Sequence, residues 1–514
     1  MRRNLRQPFF GSRMKKILFW TFCAFWIGSL QARDFNILDF GASPAGTDLS
    51  TQAIQRSIDS CSAAGGGRVV VPPGTFRCGT LILRDDVELH LCRGALLKGS
   101  DRLADYPFLE VRYQSRFTDK SYYTGRRERL RYRALIFAEG CRNVALTGDG
   151  CVDGSGEAPV FQLGNDAGSK ASLERPILIL MIDCRQVALR NVRLRNSAYW
   201  MQCYLACDGV SAYGIKVFNH CNFNNDGIDI DSRNVRIEAC EFDTDDDAVC
   251  LKSHDPDRWC ENVVIRNCTV RTNCNGVKLG TGSLGGFRNV LIENILLRAA
   301  SENRIRHWQR DLEHVDIPHT MLAGLAIETV DGGITENIEA KNLHMEGVQT
   351  PIFIKLGNRM TRREDGRQTA LRNIRLSNVR ATSYSRMCSS ITGWPGHPVE
   401  HVVLSNIGIL SSGGTPETEV VETLPECETE YPENNMFGFT LPASGLWARH
   451  VAGLEIEQVR LGLRRADARP QLVLQDVSEA RIARLRGDTE ETAVVMRTDA
   501  CRRIVADSTI ILSH

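Results

Sequence analysis

The sequence predicts an all-β chain built as a single-stranded parallel β-helix, a solenoid closed at its start by one short helix. Three observations predict it. Apolar and polar residues alternate over short runs rich in Val, Ile and Leu, as in "NVRIEACEF" from Asn234, and a period of two belongs to strands and excludes an all-helical solenoid. Such runs begin at Asn143, Gln186, Gly209, Asn234, Asn262, Asn289, Asn337, Asn373 and His401, with fainter ones near Leu454 and Val477, spaced 23 to 28 residues where no loop intervenes. A unit of that size cannot bury its apolar face alone, so neighbouring units stack. Finally, asparagine opens most of these runs, which suits ladders at the turns of stacked coils.

Taken in order, the chain begins with an export signal. "MKKILFWTFCAFWIGSLQA", from Met14 to Ala32, has two lysines, an apolar stretch and a small-residue end, the pattern of a cleaved secretory signal rather than a spanning helix. Met14 is a possible true start, since the preceding residues add nothing a signal needs. The expected division is a signal over residues 1–32 and one β-helical unit over 33–514, exported to the periplasm or beyond the cell. "TQAIQRSIDSCSAAGG", from Thr51, then reads as an amphipathic helix covering the open end of the apolar core. No later segment is long and apolar enough to span a bilayer.

Composition narrows the partners. With 63 basic and 62 acidic residues the net charge is +1, which argues against nucleic-acid binding through a basic surface. A monomer is expected. Eighteen cysteines are present; export permits disulfides. Positions such as Cys221, Cys240, Cys250 and Cys268 nevertheless fall on the apolar alternation and read as small buried hydrophobes. No CxxC pair has zinc spacing.

The chemistry gathers at "NDGIDIDS" from Asn225, "DDAVCLKS" from Asp246 and "CNGVKLGT" from Cys274, the same segment of three successive coils. In that register Asp226 lies over Asp247, roughly 4.8 Å away, with Asp246 beside it. The site is expected on the exterior of the solenoid. Close carboxylates suit glycoside hydrolysis, in which a protonated member donates to the leaving oxygen and ionised partners activate water. Mutual repulsion raises the pKa of one of them. Clustered aspartates also suit calcium, so a calcium-dependent β-helix lyase stays open on the residues alone. So does a solvated acidic turn, or Asp231 simply pairing with Lys252 one coil below.

"NNDGIDIDS" followed by "FDTDDDAVCLKS" resembles the paired acidic motifs of glycoside hydrolase family 28, the polygalacturonase and rhamnogalacturonase family. So do the segments "RPILILMIDCRQVALRNVRLRNSAYW" and "EYPENNMFGFTLPASGLWARHV". The resemblance implies a right-handed β-helix, inverting hydrolysis of α-linked pectic sugars and no cofactor or metal. It also implies Asp246 as general acid, with Asp226 and Asp247 activating water. The chain departs from the family's pattern at two places. The Gly-His-Gly motif aligns with Asn273–Asn275, leaving Cys274 in the place of histidine, and the Arg-Ile-Lys motif aligns with Ala326–Glu328. An acidic Glu328 is expected to repel a uronate.

Substitutes for the missing cations are Lys278, one coil before Ala326 in the same outward column, and Arg304 and Arg306 of an insertion that also carries Trp308. Asn224, Lys252, Cys274 and Trp200 complete the expected substrate-binding set. The expected partner is a pectic polysaccharide or oligosaccharide. Loops at Pro107–Tyr132, Glu302–Thr320 and Glu417–Asn435 are expected to block one end of the cleft and favour exo action. A glycan-binding relative without catalysis is the remaining alternative.

Overall fold

The computed structural model describes residues 33–114, 132–162, 174–302, 314–359, 368–487, 494–507 and 510–513. The signal assigned to residues 1–32, the insertion residues Arg304, Arg306 and Trp308, and most of the basic run at 126–133 lie outside the described residues.

Alternating sequence becomes stacked coils. Each strand pairs in parallel with the strand one coil away, for example Ile228 with Val249, then Val277, then Leu325 and then Ile352. These inward residues and their companions Ile230, Leu251, Leu279, Ile327 and Ile354 are at most 1% exposed. Burying each such side chain contributes about 1.5–3 kcal/mol, which sets the register because a one-residue slip would turn the whole column outward. The helix Thr51–Ala63 closes the first coils, burying Ala53, Ile54, Ile58 and Cys61 against them.

Turns between sheets require the left-handed backbone, and asparagine supplies it with a ladder. Asn267, Asn294, Asn342 and Asn378 have φ of 56°, 57°, 57° and 55°. Their side-chain amides bond coil to coil: Asn294 Nδ2 donates to Asn267 Oδ1 at 2.9 Å, Asn342 to Asn294 at 2.8 Å, and Asn378 to Asn342 at 3.0 Å. A second ladder joins Asn234, Asn262, Asn289, Asn337 and Asn373. All seventeen cysteines among the described residues are free thiols, thirteen of them buried, so they pack as small apolar groups.

Two apolar clusters lie outside the solenoid core and frame the site. One gathers Leu109, Val111, Tyr132, Ile177, Tyr199 and Leu205 over the early coils. The other is covered by residues 412–445, which cross the later coils as a strap. There Phe437 meets Trp447 edge-on at 5.0 Å, while Asn434 Nδ2 donates to Leu322 O and Gln349 Oε1 at 3.2 Å each. Glu426 of the strap pairs with Arg449 and with His450 at 3.1 Å. Among the described residues no helix is long and apolar enough to cross a membrane.

The ladder yields a test. Asn342→Ala places a Cβ in the left-handed region without a compensating amide and is expected to lower stability by about 1–2 kcal/mol. Asn342→Gly is expected to lose less, because glycine tolerates that backbone. Urea midpoints of the two variants make the comparison; equal losses would assign the effect to the amide bonds.

Candidate active site

Three aspartates come together where the coils turn into the sheet that carries the site. The Gly227 N–H donates to the Asp247 carbonyl at 2.9 Å and the Ile228 N–H to the Ala248 carbonyl at 3.1 Å, which sets Asp226 over Asp247. Glycine at 227 has a steric cause, since a Cβ there would lie 2.4 Å from the Ala248 carbonyl oxygen. The hydroxyls of Thr244 and Thr272 both donate to the Asp246 carbonyl, at 2.7 and 2.6 Å. The Asp247 N–H donates to Asp246 Oδ1 at 2.8 Å. The triplet divides here: Asp245 turns away and accepts from Asn273 Nδ2 at 2.9 Å.

The expected exposure of these groups is corrected. Asp226, Asp246 and Asp247 are 5%, 5% and 4% exposed, because side chains of adjoining coils and the strap surround the outer face. Lys278, itself 1% exposed, places Nζ 3.1 Å from Asp247 Oδ2 and 3.8 Å from Glu328 Oε2. Asn275 Nδ2 donates to Asp247 Oδ1 at 2.8 Å. Cys274 brings its sulfur within 4.8 Å of oxygens of both Asp246 and Asp247.

This arrangement drives the carboxyls apart in acidity. Burial, then the neighbouring Asp247 carboxylate, pushes Asp246 up to about 6. Burial also acts on Asp247, but the Lys278 and Lys252 ammonium groups outweigh it and hold that carboxyl below its ordinary value. Burial and the carboxylates of Asp229, Asp246 and Asp247 push Asp226 well up. One buried acid that keeps its proton beside one that stays ionised is the pairing that acid–base chemistry needs. Among the described residues Asp226 Oδ1 has no hydrogen-bond partner, and such a buried acceptor is what a water or a substrate hydroxyl would engage.

Other predicted residues fall as follows. Asp231 does not pair with Lys252: it accepts the His254 N–H at 3.0 Å and faces His254 Nδ1 at 2.9 Å. Lys252 Nζ instead lies 3.9 Å from Asp229, on the same outward row. Glu328 is not a bare charge facing solvent; it is 1% exposed beside Lys278, and burial pushes its carboxyl up to about 8. Asn224 Oδ1 accepts from Arg175 at 3.1 Å. Trp200 is half-buried and stacks on Tyr199 at 4.4 Å.

Several site residues escaped the sequence reading. Asp229 is 3% exposed, neither oxygen has a hydrogen bond among the described residues, and burial foremost pushes it up to about 7. The alternation in "DGIDIDS" already places it outward. Arg175, 3% exposed, donates to the Ala198 and Phe223 carbonyls at 2.7 and 2.6 Å and so fixes the turn before Asp226. Glu433 arrives on the strap, its Oε2 buried without a partner and its carboxyl pushed by burial up to about 7. Nothing periodic in the sequence foretells where a strap lands.

Fold and site together define a β-helical protein with a multi-carboxylate centre of the kind used for acid–base chemistry on glycosidic bonds. The profile of "Glycosyl hydrolases family 28" matches residues 116–429, and the chain belongs to that family. It is 30% identical over 296 residues to a Vitis vinifera protein named "Probable polygalacturonase", covering 54% of this chain and 57% of that one. It is 28% identical over 309 residues to an exo-poly-alpha-D-galacturonosidase of Dickeya chrysanthemi, covering 50% of this chain and 49% of that one. The chain thus spans about half the length of these curated relatives.

Among solved structures it resembles an exopolygalacturonase from Thermotoga maritima, with TM-score 0.57 and 23% identity over 74% of this chain and 87% of the other. A family 28 exopolygalacturonase of Yersinia enterocolitica gives TM-score 0.54 and 19% identity over 92% and 78%. The fold is accordingly the right-handed parallel β-helix.

The raised Glu328 carboxyl gives a stability test. Its folded value is about 8 against an ordinary 4.5, so the folded chain holds that proton more tightly than the unfolded one. The stabilisation is full below the ordinary value and is lost as pH rises toward 8. The melting temperature is expected to fall between pH 5 and pH 8, and to fall less in Glu328→Gln. An identical decline in the variant would assign the pH dependence to other groups.

Proposed function

We propose that the chain is an inverting glycoside hydrolase that cleaves α-linked galacturonide or rhamnogalacturonan-type bonds in pectic poly- or oligosaccharides. One observation carries the reading: Asp246 and Asp247 stand side by side with opposite shifts, one pushed up to about 6 and one held low by Lys278. Asp246 protonates the leaving glycosidic oxygen. Asp247, ionised, takes a proton from water, and Asp226 positions that water through its unpartnered oxygen. An anomeric centre held between them is opened with a positive, oxocarbenium-like character that the Asp247 charge stabilises.

Lys278 serves the mechanism by keeping Asp247 ionised. A uronate at the Ala326–Glu328 subsite meets a Glu328 paired with Lys278, so the subsite is close to neutral and a rhamnose or a hydroxyl-rich face suits it as well as an acid. Exo action is part of the proposal. The strap at 412–445 closes over the later coils, and relatives in sequence and fold carry exo-polygalacturonase names. Export follows from the signal pattern at Met14–Ala32.

Calcium-dependent elimination fits the donor set poorly. Asp246, Asp247 and Cys274 offer one atom each within 4.8 Å, whereas calcium takes six to eight oxygens. Lys278 lies at the oxygen of Asp247 that a metal would need. Unchanged activity in a chelator, without an unsaturated product absorbing in the ultraviolet, is the expected result.

The catalytic roles are tested by Asp246→Asn, Asp226→Asn and Asp247→Asn, each expected to reduce turnover by about 10²–10⁴-fold. Normal turnover in any of them would remove its role, and a fully folded native chain without turnover on any pectic substrate would favour the binding-only alternative. The rate is expected to fall as pH rises through about 6, where Asp246 loses its proton. The stereochemistry is a sharp test, because oxygens of Asp246 and Asp247 lie within 4.8 Å and inverting pairs usually stand about 6.5–9.5 Å apart. Proton NMR of the first product should show the β anomer; the α anomer would mean retention.

A further inference from the structure

A groove lies on a neighbouring face of the same coils. The strands Arg193–Arg195, Lys216–Asn219, Glu241–Thr244 and the end of Cys260–Thr272 stack on one another, the middle two preceding the turns that carry the aspartates, and outward of them the groove has a volume of about 480 Å3. Stacking arranges its lining in two columns. One runs Arg193, Lys216, Glu241, Thr269; the other runs Arg195, Phe218, Asp243, Arg271. The Phe218 ring is half-buried and rests 5.0 Å from the buried His220 ring, which gives the groove an aromatic floor.

Most of the charges are satisfied internally. Lys216 pairs with Glu241 at 2.8 Å, Arg195 pairs with Asp153 at 2.8 Å, and Asp243 accepts from the Ser301 N–H at 3.1 Å and faces His220 at 2.8 Å. Among the described residues the guanidinium groups of Arg193 and Arg271 make no ion pair or hydrogen bond, while the Arg193 backbone N–H donates to the Gly150 carbonyl at 3.1 Å. They stand three rungs apart along the stack, roughly 14 Å at the strand spacing, and in adjoining columns, since Arg193 leads to Thr269 and Arg195 to Arg271. Cation, acceptors and cation therefore follow one another along the groove.

We propose that this groove binds a short oligosaccharide in which acidic sugars flank a neutral one, with Arg193 and Arg271 on the two outer carboxylates and the neutral ring over Phe218. The choice of a pectic ligand rests on the functional reading above. Guanidinium forks match carboxylates bidentately, and a concave, partly apolar wall with a few polar groups is the usual form of a small-ligand site. The acceptors Glu241 and Asp243 face the middle position, where sugar hydroxyls can donate to them. A uniformly charged polyanion would meet those two carboxylates instead.

The test uses the full chain carrying Asp246→Asn, so that nothing is turned over, titrated calorimetrically with a galacturonate–rhamnose–galacturonate oligosaccharide. Two binding sites are expected. Adding Arg193→Ala and Arg271→Ala should leave one, the lost site weakening by at least about tenfold, as removal of two charge-assisted contacts implies. Trigalacturonate should bind the groove more weakly, and neutral galactotriose should not bind it. Unchanged stoichiometry in the double-arginine variant, or equal groove affinity for galactotriose or trigalacturonate, would overturn the proposal. The two readings separate cleanly: a single site abolished by the arginine changes supports the groove and contradicts the active-site reading. A single site that survives them does the reverse.

Discussion

In-register parallel stacking governs everything outward of the core. Once Ile228, Val249, Val277 and Leu325 share an inward column, the outward residues have no freedom in where they stand. Asp226 must lie over Asp247, and Lys278 must rise beside Ala326. The backbone thus forces like charges together at a cost that the apolar columns offset across many coils. Active-site precision here is a property of the whole solenoid rather than of one loop.

In the proposed mechanism Lys278 turns that forced proximity into chemistry. Its ammonium group, shared between Asp247 at 3.1 Å and Glu328 at 3.8 Å, separates two adjacent carboxyls into a proton carrier and an ion. Ala326 leaves the room that Lys278 uses, and the strap excludes water from above, where Lys278 faces the Tyr431 ring at 5.7 Å. Lower local dielectric strengthens each of these interactions. Cys274, Asn275, Lys278 and Glu328 form a connected set around Asp247.

Much of this was legible in the sequence. Coil spacing and alternation disclosed the solenoid, the capping helix followed from its amphipathic pattern, and aligning three coils brought Asp226, Asp246 and Asp247 to one patch. The partners within that patch were less legible. Columns say which residues are neighbours but not which of two neighbours a long side chain reaches, so the sequence leaves a pair with Asp231 open to Lys252, which lies by Asp229. Asp229 is legible in the alternation as an outward residue, but nothing in its spacing marks it as part of the site. Burial of the aspartates and the arrival of Glu433 depend on residues 412–445, whose path obeys no period and whose seat is fixed by side-chain contacts such as Phe437 on Trp447.

The central claim is that Lys278 holds Asp247 ionised while Asp246 keeps its proton. Carbon-13 titration of aspartate carboxyls, assigned through the single Asp→Asn variants and repeated in Lys278→Met, tests it most directly. One carboxyl should titrate near 6 and its neighbour below the ordinary range, and loss of Lys278 should raise the low one. Two carboxyls titrating together at ordinary values, unmoved by the lysine change, would contradict the account.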